Sequence, residues 1–311
     1  MFVLRGVAIS LTFFVLLYCA LSLILVCLWR SIDRLRVRSA VHRADRLFWL
    51  RVSPLLVSAS VTLGLVVPAY VRLEPRSIEE DIALPLTLAL GCLLLFALGF
   101  LRVWFAQKQS ARVIADWLDD ASALDAGVPA SVFRVHRAPP LTVIGVCTPR
   151  VVISDDTVAV LNHDELRAAV RHELAHIQFR DNLKKLIFHC SPFPGMAALE
   201  HAWHEATELA ADDRAVSSTR EALDLAAALI KLSRLIPTHS IPAFTMALVS
   251  GTYSVRMRVE RLLTWSDHPA TTVRMRWEHV LVPAFAALLV AVNAYHPALT
   301  QIHRMTELLV H

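Results

Sequence analysis

The sequence predicts an α-helical membrane protein that also carries a water-exposed α+β domain. Hydrophobic residues make up 56% of the 311-residue chain, and its mean hydropathy is +0.51, which is high for a soluble domain. Four apolar runs have the length of membrane spans, whereas residues 106–276 combine mixed charge with short apolar patterns. We therefore predict an N-terminal membrane domain (1–105), a water-exposed domain (106–276) and a C-terminal span with a short tail (277–311).

The apolar runs predict about four transmembrane helices. They lie at residues 7–29, 52–71, 82–105 and 279–295. Their lengths fall within the range of about 17 to 25 residues that is typical of membrane-spanning helices. The first run is too long for the apolar core of a signal peptide, and no small-x-small cleavage site follows it. We interpret it as a signal anchor.

The charges between the first spans predict the orientation of the chain. The first loop contains the arginines Arg30, Arg34, Arg36, Arg38, Arg43 and Arg46. The second loop contains the acidic residues Glu74, Glu79, Glu80 and Asp81. By the positive-inside rule the first loop and the water-exposed domain lie in the cytoplasm, and the N-terminus lies outside. A juxtamembrane position explains the arginines, so we predict a lipid-bilayer contact and no direct nucleic-acid contact.

Residues 106–276 predict a small sheet followed by helices. An amphipathic helix is expected at 109–126, and β-like runs are expected at 132–136, 142–146 and 150–154. Asn162 and Glu165 form a capping-box pattern that opens a helix, and Ser218 with Glu221 forms another. Further helices are expected at 182–189, 197–216, 220–236 and 254–265.

The central feature of this domain is the motif His172-Glu173-Leu174-Ala175-His176. On a helix, residues four apart share a face, so both imidazoles can bind one metal ion while Glu173 lies beside its open side. This layout is typical of zinc hydrolases, in which the glutamate takes a proton from a water molecule. The chain contains no C-x-x-C pair, so a thiolate zinc site is not predicted.

A catalytic zinc needs a third protein ligand, and four side chains on one predicted helix could supply it. They are His201, His204, Glu205 and Glu208. We choose Glu208 because Asp212 follows at i+4, where it could hold the free N–H of a ligating imidazole. A glutamate ligand with a supporting aspartate is the gluzincin arrangement, with one Zn²⁺ per chain. His204 or His201 is the nearest candidate to stabilise a tetrahedral oxyanion.

The sequence around these residues resembles the M56 peptidases, the bacterial membrane metalloproteases typified by the BlaR/MecR antibiotic sensor-transducers. The resemblance lies in residues 143–154 (VIGVCTPRVVIS), 169–183 (AVRHELAHIQFRDNL), 208–213 (ELAADD) and 258–263 (RVERLL). It implies a multi-pass protein of the bacterial inner membrane that cleaves a cytosolic transcriptional repressor or itself. We do not expect the extracellular penicillin-binding domain of the antibiotic sensors, because the sequence ends shortly after the fourth run.

The resemblance also implies two details of the site. Residues 141–146 would form an edge strand to which an extended peptide substrate adds as a further strand. Asp181 carries over as a structural residue behind the metal ligands, or as a contact to substrate or transition state together with His204.

The metal ligands constrain the membrane topology. Residues 184–199 are apolar enough to suggest a fifth span, but a single crossing there would separate Glu208 from His172 and His176. Ligands about 2 Å from one ion cannot lie on opposite sides of a bilayer. With Pro192, Pro194 and Gly195 in it, we expect the segment to lie on the membrane surface or to dip in and return.

Three other functions are compatible with the sequence to different degrees. A membrane protease of the M48 type, acting in quality control or processing, shares the same ligand pattern. A non-catalytic zinc-binding receptor or scaffold would not require Glu173. An intramembrane protease is disfavoured because charged residues surround the motif, and charges are costly at the bilayer centre.

Overall fold

The computed structural model describes most of the chain in two compact units. The described residues are 2–34, 39–74, 83–119, 121–124, 132–136, 139–146, 148–235, 245–247, 252–265, 297, 299–302 and 304. Those within 1–28, 52–98 and 269–311 belong to one unit, and those within 29–51 and 99–268 belong to the other. The fourth predicted span, residues 279–295, lies outside the described residues.

Three N-terminal stretches are long and apolar enough to cross a membrane, as predicted. They are Phe2–Asp33, Ala40–Leu73 and Ala83–Trp117. The helices in them are α1 (Phe2–Asp33), α2 (Ala40–Val61), a π-helical segment (Thr62–Val66), α3 (Val67–Leu73) and α4 (Ala83–Asp119). Each stretch extends beyond its apolar run because polar flanking residues continue the helix.

The helices of the first unit are tied together by polar contacts. A buried ion pair joins Arg5 of α1 to Glu74 at the end of α3. The hydroxyl of Thr12 donates to the carbonyl of Pro85 in α4 at 2.9 Å. Buried polar groups of this kind are costly unless they are paired, so these contacts fix which helix faces meet.

The second unit contains a five-stranded mixed sheet. Its strands are β1 (Ser122–Leu124), β2 (Val132–Val135), β3 (Leu141–Ile144), β4 (Arg150–Ser154) and β5 (Thr245–Ala247). Their order is β1-β2-β4-β3-β5, with β2 and β4 parallel and the other neighbours antiparallel. The three predicted strands are present. The helix predicted at 109–126 is wrong at its end, since α4 stops at Asp119 and residues 122–124 pair with β2.

The prediction that residues 141–146 form a free edge is also wrong. β3 pairs with β4 on one side and with β5 on the other, through Thr142 with Ala247, Val143 with Met246, and Ile144 with Thr245. A segment of the same chain therefore occupies the edge at which a peptide was expected to add. Local sequence patterns do not predict this pairing, because β5 is only three residues long and far from β3 along the chain.

Six helices complete the second unit. They are α5 (Asp155–Val160), α6 (His163–Phe179), α7 (Asp181–Cys190), α8 (Ala197–Ala215), α9 (Thr219–Ser233) and α10 (Thr252–Leu263). The predicted capping box opens α6: Asn162 Oδ1 accepts from the backbone N–H of Glu165, and Glu165 Oε2 accepts from that of Asn162, both at 2.9 Å. Ser218 caps α9 in the expected way by accepting from the N–H of Glu221.

The core of this unit lies between the sheet and helices α6, α9 and α10. Its fully buried apolar residues include Val143, Ile153, Val170, Leu229 and Leu262. Burial of each such side chain stabilises the fold by about 1.5–3 kcal/mol. The packing fixes α6 against β3 and thereby places the histidine motif beside the sheet.

Residues 184–199 do not form one of the three candidate spans found in the described part of the chain. They include the end of α7, a turn, and the start of α8. Arg51 of α2 is buried against them: its Nη2 donates to the carbonyl of Ser191 and its Nε to Glu200 Oε1, both at 2.7 Å. The guanidinium holds the turn between the two helices in place.

Gly145 at the end of β3 offers a test of the hairpin geometry. Its φ is +89°, and a Cβ there would lie 2.8 Å from the carbonyl oxygen of Thr148. We expect Gly145→Ala to lower the free energy of unfolding by about 1–3 kcal/mol through backbone strain. Thermal unfolding of the full chain in detergent measures the effect. Gly91→Ala is the control, since among the described residues no atom outside the local backbone of its own helix lies within 4 Å of a Cβ at that position.

Candidate metal centre

The two histidines of the motif converge in the interior of the second unit. Helix α6 places His172 and His176 on one face, and both side chains are buried. Their Nε2 atoms are 3.1 Å apart, and the two rings are nearly perpendicular. The i, i+4 spacing of the sequence is therefore realised as two nitrogens that face a common point.

Helix α8 brings Glu208 to the same point. Its Oε2 lies 3.6 Å from Nε2 of His172, and its Oε1 lies 3.6 Å from Nε2 of His176. The ligand atoms of these three residues all lie within 4.8 Å of one another. The structure thus brings together the three residues that the sequence singled out as metal ligands.

Two aspartates hold the opposite nitrogens of the imidazoles. Asp212 Oδ1 lies 3.0 Å from Nδ1 of His172, and Asp181 Oδ2 lies 2.8 Å from Nδ1 of His176. A carboxylate at Nδ1 keeps the proton there and leaves the Nε2 lone pair for a metal. The structure therefore places Asp181 behind His176, on the side of the ring opposite Nε2.

A tight turn delivers Asp181 to this position. Arg180, between α6 and α7, has a left-handed conformation with φ of 53°. This reverses the chain direction after α6 so that the first residue of α7 faces back toward His176. The conformation is unusual for a residue other than glycine and is maintained by the surrounding structure.

The donor set fits a divalent transition metal. Ligands at about 2.0–2.1 Å from a tetrahedral ion lie about 3.3 Å apart. Here the two Nε2 atoms are 3.1 Å apart, and each lies 3.6 Å from a different oxygen of Glu208. The two Nε2 atoms lie within hydrogen-bond distance of each other, and a metal ion between them would replace a proton held there. Two imidazole nitrogens and a carboxylate oxygen suit zinc and its neighbours in the periodic table.

The electrostatics of the three ligands favour positive charge at their centre. Although burial and Arg258 lower the pKa of His172, hydrogen bonds to Asp212 and Glu208 raise it to about 9. Burial raises the pKa of Glu208, but Arg258 and His172 lower it to about 2. The glutamate is therefore ionised at neutral pH, and a metal would replace the proton that His172 holds.

Glu173 is the third polar residue of the motif and is completely buried beside the histidines. Neither of its carboxylate oxygens has a hydrogen-bond partner among the described residues. Burial raises the pKa of Glu173 to about 7, with an opposing contribution from His176 and His172. A carboxylate with this pKa can both accept and donate a proton near neutral pH.

The other candidates on α8 differ in their surroundings. His201 is exposed and lies 3.3 Å from Glu205, so these two residues pair with each other at the surface. His204 lies one turn before Glu208 and is partly buried. Burial lowers the pKa of His204, which keeps its imidazole neutral at physiological pH. His204 therefore stays a candidate for a substrate or oxyanion contact.

Arg258 of α10 is a site residue to which the sequence analysis assigned no role. Its side chain is 1% exposed and donates to Asp212 through Nε at 2.8 Å and Nη2 at 2.7 Å. Its Nη1 donates to Glu208 Oε2 at 2.6 Å. One signal was available: Arg258 follows Val255 at i+3 and precedes Leu262 at i+4, and both of those residues are buried. An arginine on an apolar helix face indicates a buried partner.

Apolar helices and a buried His-His-Glu cluster, next to a glutamate that has no hydrogen-bond partner among the described residues, are typical of membrane-associated metallopeptidases. The sequence profile of the family described as BlaR1 peptidase M56 matches residues 83–262, more than half of the chain. The chain belongs to this family, which confirms the resemblance. No curated protein sequence gives a significant match.

The choice of third ligand can be tested on two glutamates of α8. We expect Glu208→Gln to abolish stoichiometric zinc binding, because it removes the negative charge and replaces one carboxylate oxygen by an NH₂ group, whereas Glu205→Gln leaves binding unchanged because Glu205 pairs with His201. Elemental analysis of the purified full chain, together with zinc titration against a chromophoric chelator, measures both. Full zinc retention in Glu208→Gln would move the third ligand elsewhere.

The role of Asp181 can be tested by Asp181→Asn. An amide oxygen accepts a weaker hydrogen bond from the Nδ1–H group of His176 than a carboxylate oxygen does. The amide NH₂ group can also donate a hydrogen bond, which disturbs the ring orientation. We expect zinc affinity to fall by about 10- to 100-fold. Asp213→Asn is the matched control, because the ion pair that the structure describes for Asp213 is with Arg261 and not with a histidine. Equal affinities in the two variants would contradict the assignment.

Proposed function

We propose that this protein is a zinc endopeptidase of the cell membrane. The observation that carries the proposal is the convergence of His172 Nε2, His176 Nε2 and Glu208 beside the buried, unpartnered carboxylate of Glu173. Two histidines and a glutamate form one of the ligand sets of catalytic zinc, which leaves the fourth position open. A purely structural site would have no use for Glu173.

The residues around the ligands suit peptide hydrolysis. Zinc bound there would polarise a peptide carbonyl and lower the pKa of a water molecule to about 7. Glu173 accepts a proton from the attacking water and donates it to the amine that leaves, which its pKa of about 7 permits. Asp212 and Asp181 hold the two imidazoles in the required tautomer. His204, neutral and one turn from Glu208, is the candidate donor to the oxyanion.

The position of β5 supports one strand-like occupant of this sheet edge, a segment of the chain itself. β5 adds to β3 by antiparallel backbone pairing, which is how peptides extend an exposed sheet edge. This edge is tied to the site, because Asn182, next to Asp181, donates to the carbonyl of Gly145 at the end of β3 at 2.9 Å. The chain itself is thus one candidate substrate, with β5 in the expected position.

We further propose a role in signalling, with a cytosolic transcriptional repressor as the second substrate. Membership of the M56 family supports this role over an M48-type function in quality control. The arginines between the first two spans support a cytoplasmic site and an external N-terminus in a bacterial inner membrane. A non-catalytic receptor would retain the metal site without activity.

Glu173→Gln tests the catalytic role. The variant keeps the size of the side chain but cannot accept a proton, so we expect kcat/KM for casein to fall by about 10²- to 10⁴-fold with zinc content unchanged. The assay uses the zinc-loaded full chain in detergent, and Glu205→Gln is the control. Equal cleavage by wild type and Glu173→Gln, or cleavage that survives chelation, would contradict the proposal.

The same inactive variant separates the candidate substrates. Crosslinking of Glu173→Gln in membranes, followed by mass spectrometry, should recover a DNA-binding repressor or the chain itself. A broad set of damaged membrane proteins would instead identify a quality-control protease. Recovery of no peptide at all by an inactive, zinc-loaded variant would favour the non-catalytic receptor.

A further inference from the structure

Helix α8 places two carboxylates side by side in the interior. Glu208 and Asp212 are four residues apart on one face, and their side chains are at most 2% exposed. Two buried carboxylates at this spacing repel each other and would turn apart without a shared cationic partner. Arg258, from a different helix, is the guanidinium that bridges them.

The bridge uses the geometry of the guanidinium and not only its charge. Nε and Nη2 of Arg258 form a two-pronged contact with both oxygens of Asp212, at 2.8 and 2.7 Å. The remaining nitrogen, Nη1, donates to Glu208 Oε2 at 2.6 Å. A lysine ammonium is a single point of charge and cannot reproduce three donors in one plane.

The contact with Glu208 divides the roles of its two oxygens. Oε2 accepts from Arg258, whereas Oε1 is buried and has no hydrogen-bond donor among the described residues. Each oxygen lies 3.6 Å from one ring nitrogen, Oε1 from Nε2 of His176 and Oε2 from Nε2 of His172, so the contact with Arg258 is what distinguishes them. One oxygen is therefore engaged by the protein, and one is left for a metal.

We propose that Arg258 is a positioning residue that restricts Glu208 to metal ligation through a single oxygen and holds Asp212 on His172. The inference rests on the metal centre of the proposed function. A glutamate free to bind through both oxygens would fill the coordination position that the attacking water needs. Arg258 keeps that position open by competing for Oε2, and its contact with Asp212 keeps the Nδ1 proton of His172 in place.

A structural role alone would give a different result from a positioning role. Arg258 is buried, so its replacement also lowers stability, and loss of activity by itself would not distinguish the two. The discriminating readout is the coordination of the metal. Cobalt(II) in place of zinc reports it, because four-coordinate cobalt absorbs visible light more strongly than five-coordinate cobalt.

The experiment compares Arg258→Met, Arg258→Lys and a matched control, Arg261→Met. Arg261 lies on the same helix and forms an ion pair with Asp213, the neighbour of Asp212. All variants are prepared as full chains in detergent, loaded with cobalt(II) or zinc, and measured below their melting temperatures. Zinc affinity is obtained by competition with a chromophoric chelator.

We expect Arg258→Met to lose zinc affinity by about 10- to 100-fold and to show a weaker cobalt absorption than wild type. Arg258→Lys should have a higher melting temperature than Arg258→Met but should not show the wild-type cobalt spectrum. The lysine restores the positive charge without the planar guanidinium that provides three donors. Arg261→Met should keep both the affinity and the spectrum. This pattern supports the inference.

Two results would overturn it in distinguishable ways. In the first, wild type binds one metal ion, and Arg258→Met or Arg258→Lys has the same cobalt spectrum and zinc affinity as wild type. This would refute the role of Arg258 and leave the metal centre intact. Wild type that binds neither cobalt nor zinc would refute the metal centre and the inference with it.

Discussion

The structure of the second unit depends on one constraint, the burial of several ionisable groups at a single point. His172, His176, Glu173, Asp181, Glu208 and Asp212 are each at most 2% exposed. Arg258, Lys184 and the proton that His172 holds offset the negative charge of the carboxylates. Unpaired buried charge is costly, so this cluster favours a cation between the two Nε2 atoms. A metal ion there would take the place of the proton that His172 holds, so the electrostatics are compatible with the candidate metal centre.

Each surrounding element satisfies a part of that constraint. Helix α6 is opened by the Asn162 capping box and supplies both imidazoles on one face. The left-handed Arg180 returns the chain so that Asp181 reaches His176. Helix α8 supplies Glu208 and Asp212, and α10 closes the cluster with Arg258. Four helices therefore meet at the site, and none of them provides a complete ligand environment alone.

The difference between what the sequence predicted and what it missed follows from the range of the interactions. The pairing of His172 with His176, and of Glu208 with Asp212, depends on i, i+4 spacing within one helix, which can be read from sequence alone. Arg258 and β5 act across distant parts of the chain: Arg258 reaches Glu208 over 50 residues, and β5 pairs with a strand about a hundred residues earlier. Periodicity places Arg258 on an apolar helix face, but it does not identify the partners of Arg258 or of β5. The end of α4 was missed because the strand that follows it forms only by pairing with β2.

The same cluster explains how residues 184–199 can be apolar without crossing a bilayer. Asp181, just before this segment, contacts His176, and Glu208, shortly after it, lies 3.6 Å from the same imidazole. Both ends of the segment are therefore fixed at one point. Arg51 fixes the middle of the segment, because it donates to the carbonyl of Ser191 in the turn and to Glu200 in α8. A segment fixed at both ends to one imidazole must return to where it began, so its apolar residues pack against helices such as α2 or lie along a surface. The ligands of the metal centre thereby determine the path of the chain.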